Sequence, residues 1–267
     1  MRYLILSFIL LIYIQHSSAQ FLFPEAFVMI PVDTNRKYAG NVSGIFNSQT
    51  QRNVVNQYGV RSEFAHRIRK QHVITVAGSF DLITNGTQRV LSGGYLFTRF
   101  RNKISRRFFP EFMMQYQWFE VRGMEQKVAF TGNYRYRIVR NEKISLAAAA
   151  GVMMEYEKWG FTGVPSEETA TLANLDPVHI WGPRFNSYIS YDHIINDNIE
   201  LDIAAYYTIR MEPNEGRRRM GYHARVSFKI TEHLSFRTFM RYMYDFQPVV
   251  PVPTYWYNFN NELVYTF

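Results

Sequence analysis

Apolar and polar residues alternate one by one along most of the chain from residue 37 onward. The last alternating segment, residues 254–267, shows the pattern most clearly. Its apolar positions are Tyr255, Tyr257, Phe259, Leu263, Tyr265 and Phe267, and its polar positions include Asn258, Asn260, Glu262 and Thr266. A period of two predicts a β-strand with one apolar face and one polar face. About twelve such segments lie near residues 37–47, 53–67, 71–83, 88–101, 106–120, 126–140, 143–159, 178–194, 198–210, 217–230, 233–246 and 254–267.

The breaks between these segments are of two kinds, which alternate along the chain. Short polar breaks, which suit tight hairpin turns, lie at residues 69–70, 101–103, 140–143, 196–198 and 231–233. The other breaks, several of them longer and containing Gly or Pro, lie near residues 47–52, 85–86, 121–125, 161–177, 211–218 and 247–253. Short periplasmic turns alternating with longer outer loops are typical of outer-membrane barrels. We therefore predict an all-β fold, an antiparallel up-and-down transmembrane β-barrel of about 12 strands (about 10–14).

Charged residues keep to one face of the predicted strands. In the segment 143–159, Glu155 and Glu157 lie on the face opposite to Val152 and Met154. This segregation is required if the strands span a membrane, because an ionised side chain that faces lipid at mid-bilayer costs about 2–4 kcal/mol. The predicted lumen therefore holds charges of both signs: Arg61, Glu63, Asp81, Arg99, Glu111, Lys127, Arg135, Arg137, Glu155, Glu157, Asp202, Arg225, Arg237, Arg241, Asp245 and Glu262.

Two interpretations of this lumen charge cluster are open. The charges form either the wall of a polar pore that selects solutes by charge, or a salt-bridged filling that blocks the bore. A slight excess of arginine favours anions if a channel exists. The sequence thus predicts either a narrow passive channel with a small solute as its partner or a structural protein of the envelope.

The amino-terminal residues predict export. Arg2 precedes the apolar stretch 4–14, and Ser17-Ser18-Ala19 supplies small residues for a signal peptidase. We expect a signal peptide at residues 1–19, a periplasmic lead-in at residues 20–36 and the barrel at residues 37–267. No later segment approaches the roughly 20 continuous apolar residues of a transmembrane helix. The predicted location is the cell outer membrane, with membrane lipid and lipopolysaccharide as partners.

The carboxyl terminus carries a second predicted targeting signal. Leu263, Tyr265 and Phe267 alternate on one face of the last strand, and Phe267 is the terminal residue. A terminal aromatic closing such a strand resembles the signal by which outer-membrane barrels are recognised for assembly. The barrel assembly machinery is therefore an expected partner.

Composition agrees with a membrane barrel. Aromatic residues make up 17% of the chain and charged residues only 19%, and Tyr and Phe suit the aromatic girdles of a barrel. There is no cysteine, so the exported chain does not form a disulfide scaffold. The net charge is +8, but Arg and Lys are spread through many segments rather than clustered as in a nucleic-acid binder. We expect neither a nucleic-acid partner nor a cofactor.

Candidate catalytic residues are few. Glu155 and Glu157 lie two apart on one strand and resemble a paired-carboxylate site, but glycosidase carboxylates usually come from different elements, which favours structural pairing. His223 has no Gly-x-Ser-x-Gly context around any serine, and the seven histidines show no zinc spacing. An outer-membrane enzyme acting on lipid or glycan stays an alternative, as does a soluble periplasmic β-protein. Arg217–Arg219 are expected in an outer loop, either solvated or facing lipopolysaccharide phosphates.

Several short motifs together resemble the domain-of-unknown-function 481 family in its Bacteroidetes-like form. They are Gln115-Tyr116-Gln117 with Arg122-Gly123, Met154-Glu155-Tyr156-Glu157, Phe228-Lys229-Ile230-Thr231 with Leu234-Ser235-Phe236, Tyr242-Met243-Tyr244-Asp245, and the ending Asn261-Glu262-Leu263-Val264-Tyr265-Thr266-Phe267. The order and spacing of these motifs extend over most of the predicted mature chain. The resemblance implies an outer-membrane β-barrel, sometimes described as salt-stress-induced, with no established activity and no catalytic residues to carry over.

Overall fold

The computed structural model describes most of the chain after residue 36. The described residues are 37–50, 54–69, 72–86, 88–102, 105, 107–170, 172, 174–212 and 217–267. The predicted signal peptide and lead-in, residues 1–36, lie outside them, and both stay predictions. The described part forms a single closed sheet of twelve antiparallel strands.

The strands are 12 to 19 residues long, which is more than the roughly 9–11 residues that cross a bilayer. Their bounds are β1 Tyr38–Thr50, β2 Val54–Arg69, β3 His72–Asn85, β4 Gln88–Asn102, β5 Phe108–Phe119, β6 Met124–Arg140, β7 Ile144–Trp159, β8 Val178–Asn196, β9 Ile199–Arg210, β10 Arg218–Lys229, β11 Leu234–Asp245 and β12 Tyr255–Thr266. A 3-10 turn at Glu120–Arg122 lies between β5 and β6, and a one-turn helix, α1, at Ser166–Thr169 lies between β7 and β8.

Each strand pairs with the next one in the chain, and β1 pairs with β12 to close the barrel. The predicted all-β, up-and-down barrel of about twelve strands is therefore confirmed. The end of the barrel that carries the long β7–β8 connection is called the outer end here, because outer-membrane barrels have longer outer loops and short periplasmic turns. None of the described helices is both long and apolar enough to cross a membrane.

The two faces of the strands differ as the alternation predicts. On β7, Ala147 and Glu155 are buried inside the barrel, whereas Val152 is 46% exposed on the outside. The outer surface is covered with exposed apolar side chains such as Phe112 and Tyr134. A continuous apolar surface of this kind is expected to contact lipid rather than water, so a soluble periplasmic protein is not favoured.

Aromatic pairs mark the two ends of this apolar surface. Towards the outer end, the rings of Phe46 and Tyr58 lie 5.4 Å apart between centroids. Towards the periplasmic end, Phe108 and Tyr136 lie 5.0 Å apart, and His233 contacts Tyr265 at 5.8 Å. Such levels of aromatic side chains are typical of the interfacial girdles of transmembrane barrels.

Three details differ from the sequence prediction. Strand β1 continues to Thr50, and β6 begins at Met124 because Gly123, at φ +75°, reverses the chain after one 3-10 turn. The expectation of a solvated outer loop at Arg217–Arg219 is wrong for its last two residues, because β10 begins at Arg218, although Arg218 is still exposed. Arg219 belongs to β10, and its register opposite Asp245 directs it into the lumen.

Candidate functional site: the barrel lumen

The lumen is the candidate site because almost all buried polar groups of the described residues lie in it. Its filling divides into an apolar cap at the outer end and three groups of ion-paired or hydrogen-bonded charges below it. The outer charged cluster consists of Lys127, Glu155, Glu157, Arg184, Arg219 and Asp245. The Glu111 cluster consists of Arg101, Glu111, Arg135 and Tyr188, and the Arg61 cluster of Asn41, Arg61, Glu63 and Glu262.

The outer charged cluster is centred on Glu155 and Glu157 of β7. Lys127 Nζ lies 3.0 Å from Glu155 Oε2 and 3.4 Å from Glu157 Oε1, and Arg184 also pairs with Glu155. Arg219 donates to both oxygens of Glu157, at 2.5 and 3.0 Å. Because these groups are fully or almost fully buried, loss of one partner would leave an uncompensated charge in a dry interior.

Arg219 links the strands that contribute to this cluster. Its Nε donates to Asp245 Oδ2 at 2.8 Å, and its guanidinium lies 5.7 Å from the ring centroid of Trp159. The indole Nε1 of Trp159 donates to Glu157 Oε2 at 3.0 Å. One arginine thus joins β7, β10 and β11 across the bore.

The Glu111 cluster fills one side of the lumen at mid-height and below. Arg101 Nε donates to Glu111 Oε1 at 2.6 Å, and the Tyr188 hydroxyl donates to Glu111 Oε2 at 2.5 Å. Arg135 donates to the hydroxyl oxygens of Tyr188 and Ser190, both at 3.3 Å. Apolar and aromatic lumen residues pack around this group: Ala77, Tyr95, Phe97, Met113, Ala149, Ala204 and Tyr206.

The Arg61 cluster lies near the junction of β1 and β12. Arg61 Nη1 donates to Glu262 Oε1 at 3.1 Å, and Asn41 Nδ2 donates to Glu63 Oε2 at 3.0 Å. Two guanidinium groups, of Arg61 and Arg241, lie 4.6 and 4.5 Å from the ring centroid of Phe239. Arg225 Nε, which donates to Asp202 Oδ2 at 2.7 Å, extends the charges to β9 and β10.

A small cavity lies within the Arg61 cluster. Its volume is about 10 Å³, which is the lower limit for a single water molecule. Among the residues that line it are Arg61, Glu63, His223, Arg237 and Glu262. Side chains therefore fill the bore at this level, and no solute larger than water fits without rearrangement.

Buried cations outnumber buried anions in the described residues. Ten cationic side chains are buried: Arg61, Arg99, Arg122, Lys127, Arg135, Arg184, Arg210, Arg219, Arg225 and Arg241. Seven anionic side chains are buried: Glu63, Asp81, Glu111, Glu155, Glu157, Asp245 and Glu262. The interior therefore carries a positive excess, which attracts anions in a low-dielectric bore.

The outer cap is an apolar cluster that covers the outer end of the lumen. It consists of Phe119, Met124, Trp159, Ile180, Met243, Val250 and Trp256. Val250 comes from the β11–β12 loop and is only 2% exposed. Val121 from the 3-10 turn and Phe161 and Val164 from the β7–β8 connection pack against the same cluster. Loops, as well as strand ends, thus close the outer mouth.

Arg122 connects the 3-10 turn to the β11–β12 loop. Its Nη2 donates to the carbonyl oxygen of Pro253 at 2.7 Å, and its Nη1 donates to that of Tyr255 at 3.4 Å. Burial is the main cause that lowers the pKa of Arg122 to about 10, and Asp245 acts in the opposite direction. The guanidinium therefore stays charged at neutral pH while it holds the loop over the lumen.

The structure places the predicted lumen residues as follows. Fourteen are directed into the interior, namely Arg61, Glu63, Asp81, Arg99, Glu111, Lys127, Arg135, Glu155, Glu157, Asp202, Arg225, Arg241, Asp245 and Glu262. Arg137 and Arg237 are partly exposed near the periplasmic end. Arg237 also lines the small cavity, and Arg137 lies 4.3 Å from the ring of Phe109. Leu263 and Tyr265 on the outside of β12, and Phe267 directly after it, are exposed, and their role in assembly stays a prediction.

Several lumen residues were not predicted. Arg184 lies two and four residues before the buried Asn186 and Tyr188 on β8, and Arg101 lies two residues after Arg99 on β4. Residues at even spacing share one face of a strand, so the alternation contained the signal for both. Arg122 had no such signal, because it lies in a turn and is buried through loop contacts.

The candidate catalytic residues have no room for a substrate. Glu155 and Glu157 are both ion-paired, and both have 0% exposure. His223 is 3% exposed and lines the small cavity. Within the described residues there is no group of three or more His, Cys, Asp or Glu that could hold a metal ion.

Comparisons with known proteins extend these observations. The family described as "Protein of unknown function, DUF481" matches residues 44–267. Among solved structures, the translocator domain of the autotransporter NalP from Neisseria meningitidis has 7% identity and a TM-score of 0.51, covering 88% of this chain and 90% of that chain. At this identity the likeness shows the fold alone.

Two further solved structures are similar over most of the chain. An outer membrane channel from Pseudomonas putida F1 has 8% identity and a TM-score of 0.49, covering 86% of this chain and 95% of that chain. The KdgM porin has 9% identity and a TM-score of 0.42, with coverages of 86% and 99%. No curated protein matches the sequence.

Proposed function

Because the chain belongs to the DUF481 family of proteins of unknown function, its role has to be inferred from the lumen. We propose that it is a narrow outer-membrane channel for small anions, closed in the described conformation by the outer cap. The observation that carries this proposal is the asymmetry of the lumen, which is charged with a cationic excess below and apolar at the outer mouth.

The periplasmic end supports an entrance for ions. The charged side chains of Arg101, Arg137 and Arg237 are partly exposed there, whereas the charges of the outer cluster are buried. Cationic side chains near a mouth concentrate anions locally. Anions reach the lumen from this side, and cations are disfavoured.

The outer cap supports a gate rather than a permanent wall. An apolar constriction stops ions because an ion has to lose water to cross it. Part of the cap is the β11–β12 loop, whose Val250 enters the cluster and whose Pro253 carbonyl is held by Arg122. A surface loop moves more readily than a strand of the barrel wall. Opening also requires the side chains of the outer charged cluster and of the Arg61 cluster to move aside, because both fill the bore.

A structural envelope protein is the second candidate. The observation that favours it is the complete ion pairing of Glu155 and Glu157, which fixes side chains across the bore. An enzyme acting on lipid or glycan has no comparable support, because Glu155, Glu157 and His223 are buried among other side chains.

Planar-bilayer recording separates the channel from the structural barrel. We expect rare openings from the wild-type protein and frequent openings from the Val250→Ser variant, because a polar side chain lets water enter the cap. Leu175→Ser is the matched control, since Leu175 is 54% exposed in an outer connection away from the cap. If a folded Val250→Ser variant conducts no better than the control, the structural role is favoured.

The export predictions complete the proposal. The signal peptide is cleaved before Gln20, the mature barrel resides in the outer membrane, and Leu263, Tyr265 and Phe267 are contacted by the barrel assembly machinery. Amino-terminal sequencing of the mature protein tests the cleavage site. Cell fractionation tests the location, and recovery in an aqueous wash rather than a detergent extract would contradict it.

A further inference from the structure

The junction between β1 and β12 is closed along only part of its length. The ladder runs from Asn41 opposite Thr266 to Gly44 opposite Leu263, and two backbone bonds between Gly40 and Phe267, at 3.0 and 3.2 Å, extend it at the periplasmic end. Towards the outer end, the structure gives no pairing between residues 45–50 of β1 and residues 255–262 of β12. The β1–β12 junction is therefore hydrogen-bonded in its periplasmic half and unpaired in its outer half.

The unpaired stretch is not a general property of this barrel. The other neighbouring strands share between nine and sixteen register pairs, against four for β1 and β12. Both edge strands keep their partners on the opposite side, since residues 45–50 continue to pair with β2 and residues 255–262 with β11. The two strands are thus well formed and part from each other only at this junction.

The opening lies at the level of the outer leaflet. Phe46 belongs to the outer aromatic level, so residues 47–50 extend beyond the apolar band. The unpaired edges that face lipid are therefore residues 45–46 of β1 and the neighbouring unpaired stretch of β12. Backbone N–H and C=O groups cannot remain unsatisfied in hydrocarbon, so the edges require a polar occupant.

Two buried side chains on the unpaired stretch of β12 carry donors without a hydrogen-bond partner. They are the indole Nε1 of Trp256, whose residue is 8% exposed, and the amide Nδ2 of Asn258, whose residue is 1% exposed. The side-chain oxygen of Asn258 already accepts a bond from Asn260 Nδ2 at 2.8 Å. A buried donor without an acceptor is unfavourable, so these two groups on the unpaired half of β12 require an oxygen acceptor from outside the chain.

The outer rim of the opening is apolar. Phe46 on β1 is 66% exposed, and Tyr255 and Phe259 on β12 are also exposed. An occupant therefore presents an apolar body to this rim and oxygen atoms to the donors behind it. The outer cap blocks entry through the mouth, so such an occupant comes from the membrane itself.

We propose that the outer half of the β1–β12 junction is a lateral portal that binds a lipid of the outer leaflet. The acyl chain lies against Phe46 and Phe259, and ester or headgroup oxygens accept hydrogen bonds from Trp256, Asn258 and the unpaired strand edges. A second copy of this chain or a water-soluble apolar compound is less suitable, because neither joins a membrane-embedded apolar body to a small group of oxygen acceptors. The portal does not depend on ion conduction.

Cysteine cross-linking tests whether the junction is open. The chain has no cysteine, so each introduced pair reports unambiguously. Phe46→Cys with Asn261→Cys would be directly opposite if the ladder continued from Gly44 and Leu263, and Val42→Cys with Tyr265→Cys is the matched control inside the ladder. Disulfides require Cβ atoms about 3.5–4.5 Å apart. We expect near-complete oxidation of the control pair in membranes and at least tenfold slower oxidation of the portal pair. Equal rates would overturn the proposal.

Native mass spectrometry tests the occupant. We expect the wild-type barrel, released gently from outer membranes, to retain one lipid, and the Trp256→Phe variant to retain severalfold less. Trp118→Phe is the control, because the indole of Trp118 already donates to Ser92 Oγ at 3.2 Å. A dimer mass, a bound soluble compound or equal lipid retention by both variants would each contradict the lipid portal. Neither experiment measures conductance, so failure here leaves the channel proposal untouched.

Discussion

Replacement of Arg219 by methionine tests the role of the outer charged cluster most sharply. Arg219 makes two hydrogen bonds to Glu157, one to Asp245 and a ring contact with Trp159, and it is 2% exposed. Breaking a buried pair by removing one partner costs about 3–5 kcal/mol. Glu157 keeps Lys127 at 3.4 Å, and Asp245 still accepts from the backbone of Gln247 at 3.1 Å. We therefore expect a loss near the lower limit, about 3 kcal/mol.

The assay is reversible denaturant unfolding in lipid vesicles, followed by tryptophan fluorescence and gel mobility. Arg218→Met is the control, because Arg218 is the neighbouring arginine and is exposed on the outside of β10. We expect the control to change the free energy of unfolding by less than about 0.5 kcal/mol. The double variant Arg219→Met/Glu157→Gln should recover part of the loss, since it removes the stranded charge as well.

Two outcomes would refute this reasoning. The first is an equal free energy of unfolding for Arg219→Met and Arg218→Met. In that case the packing of the methionine side chain would fully replace the contribution of the ion pairs. If the double variant were less stable than Arg219→Met alone, the stranded carboxylate would not be the source of the loss.

Three further predictions follow from particular contacts. Gly151→Ala should lower the free energy of unfolding by about 1–3 kcal/mol, because its added Cβ would lie 1.9 Å from the carbonyl oxygen of Gly132. The control Gly132→Ala should be neutral in the same denaturation assay, because its added Cβ meets nothing within 4 Å. Arg122→Met should raise the opening frequency in bilayer recordings by releasing the β11–β12 loop, and an unchanged frequency would show that the apolar cap holds without it. Deletion of Phe267 should reduce the folded barrel in outer-membrane fractions, whereas Phe259→Ala on the same outward face should not, and equal levels would exclude a role of the terminal aromatic in assembly.

The alternation of residues predicted the barrel because strand geometry and lipid impose the same period of two. Every strand has to separate apolar from polar residues, so the positions of Glu155, Glu157 and Arg225 inside the lumen follow from parity alone. The same rule makes the closing partner of β1 predictable, since an even number of strands places both termini on one side.

The pairing of charges inside the barrel could not be predicted in this way. Parity assigns Arg219 and Glu157 to a common interior, but it does not say that strands β7 and β10, which are not neighbours, bring them within 2.5 Å of each other. The cap depends on Val250 and Arg122, which lie in connections without any period. The partial opening between β1 and β12 depends on register and twist, which leave no trace in the alternation.

The reversal potential of the Val250→Ser channel in a salt gradient tests the central claim most directly. The claim is that a bore with an excess of buried cations lies behind an apolar outer cap. It predicts frequent openings whose reversal potential lies on the anion-selective side in a potassium chloride gradient. A cation-selective potential, or no current from a barrel shown to be folded, would contradict it.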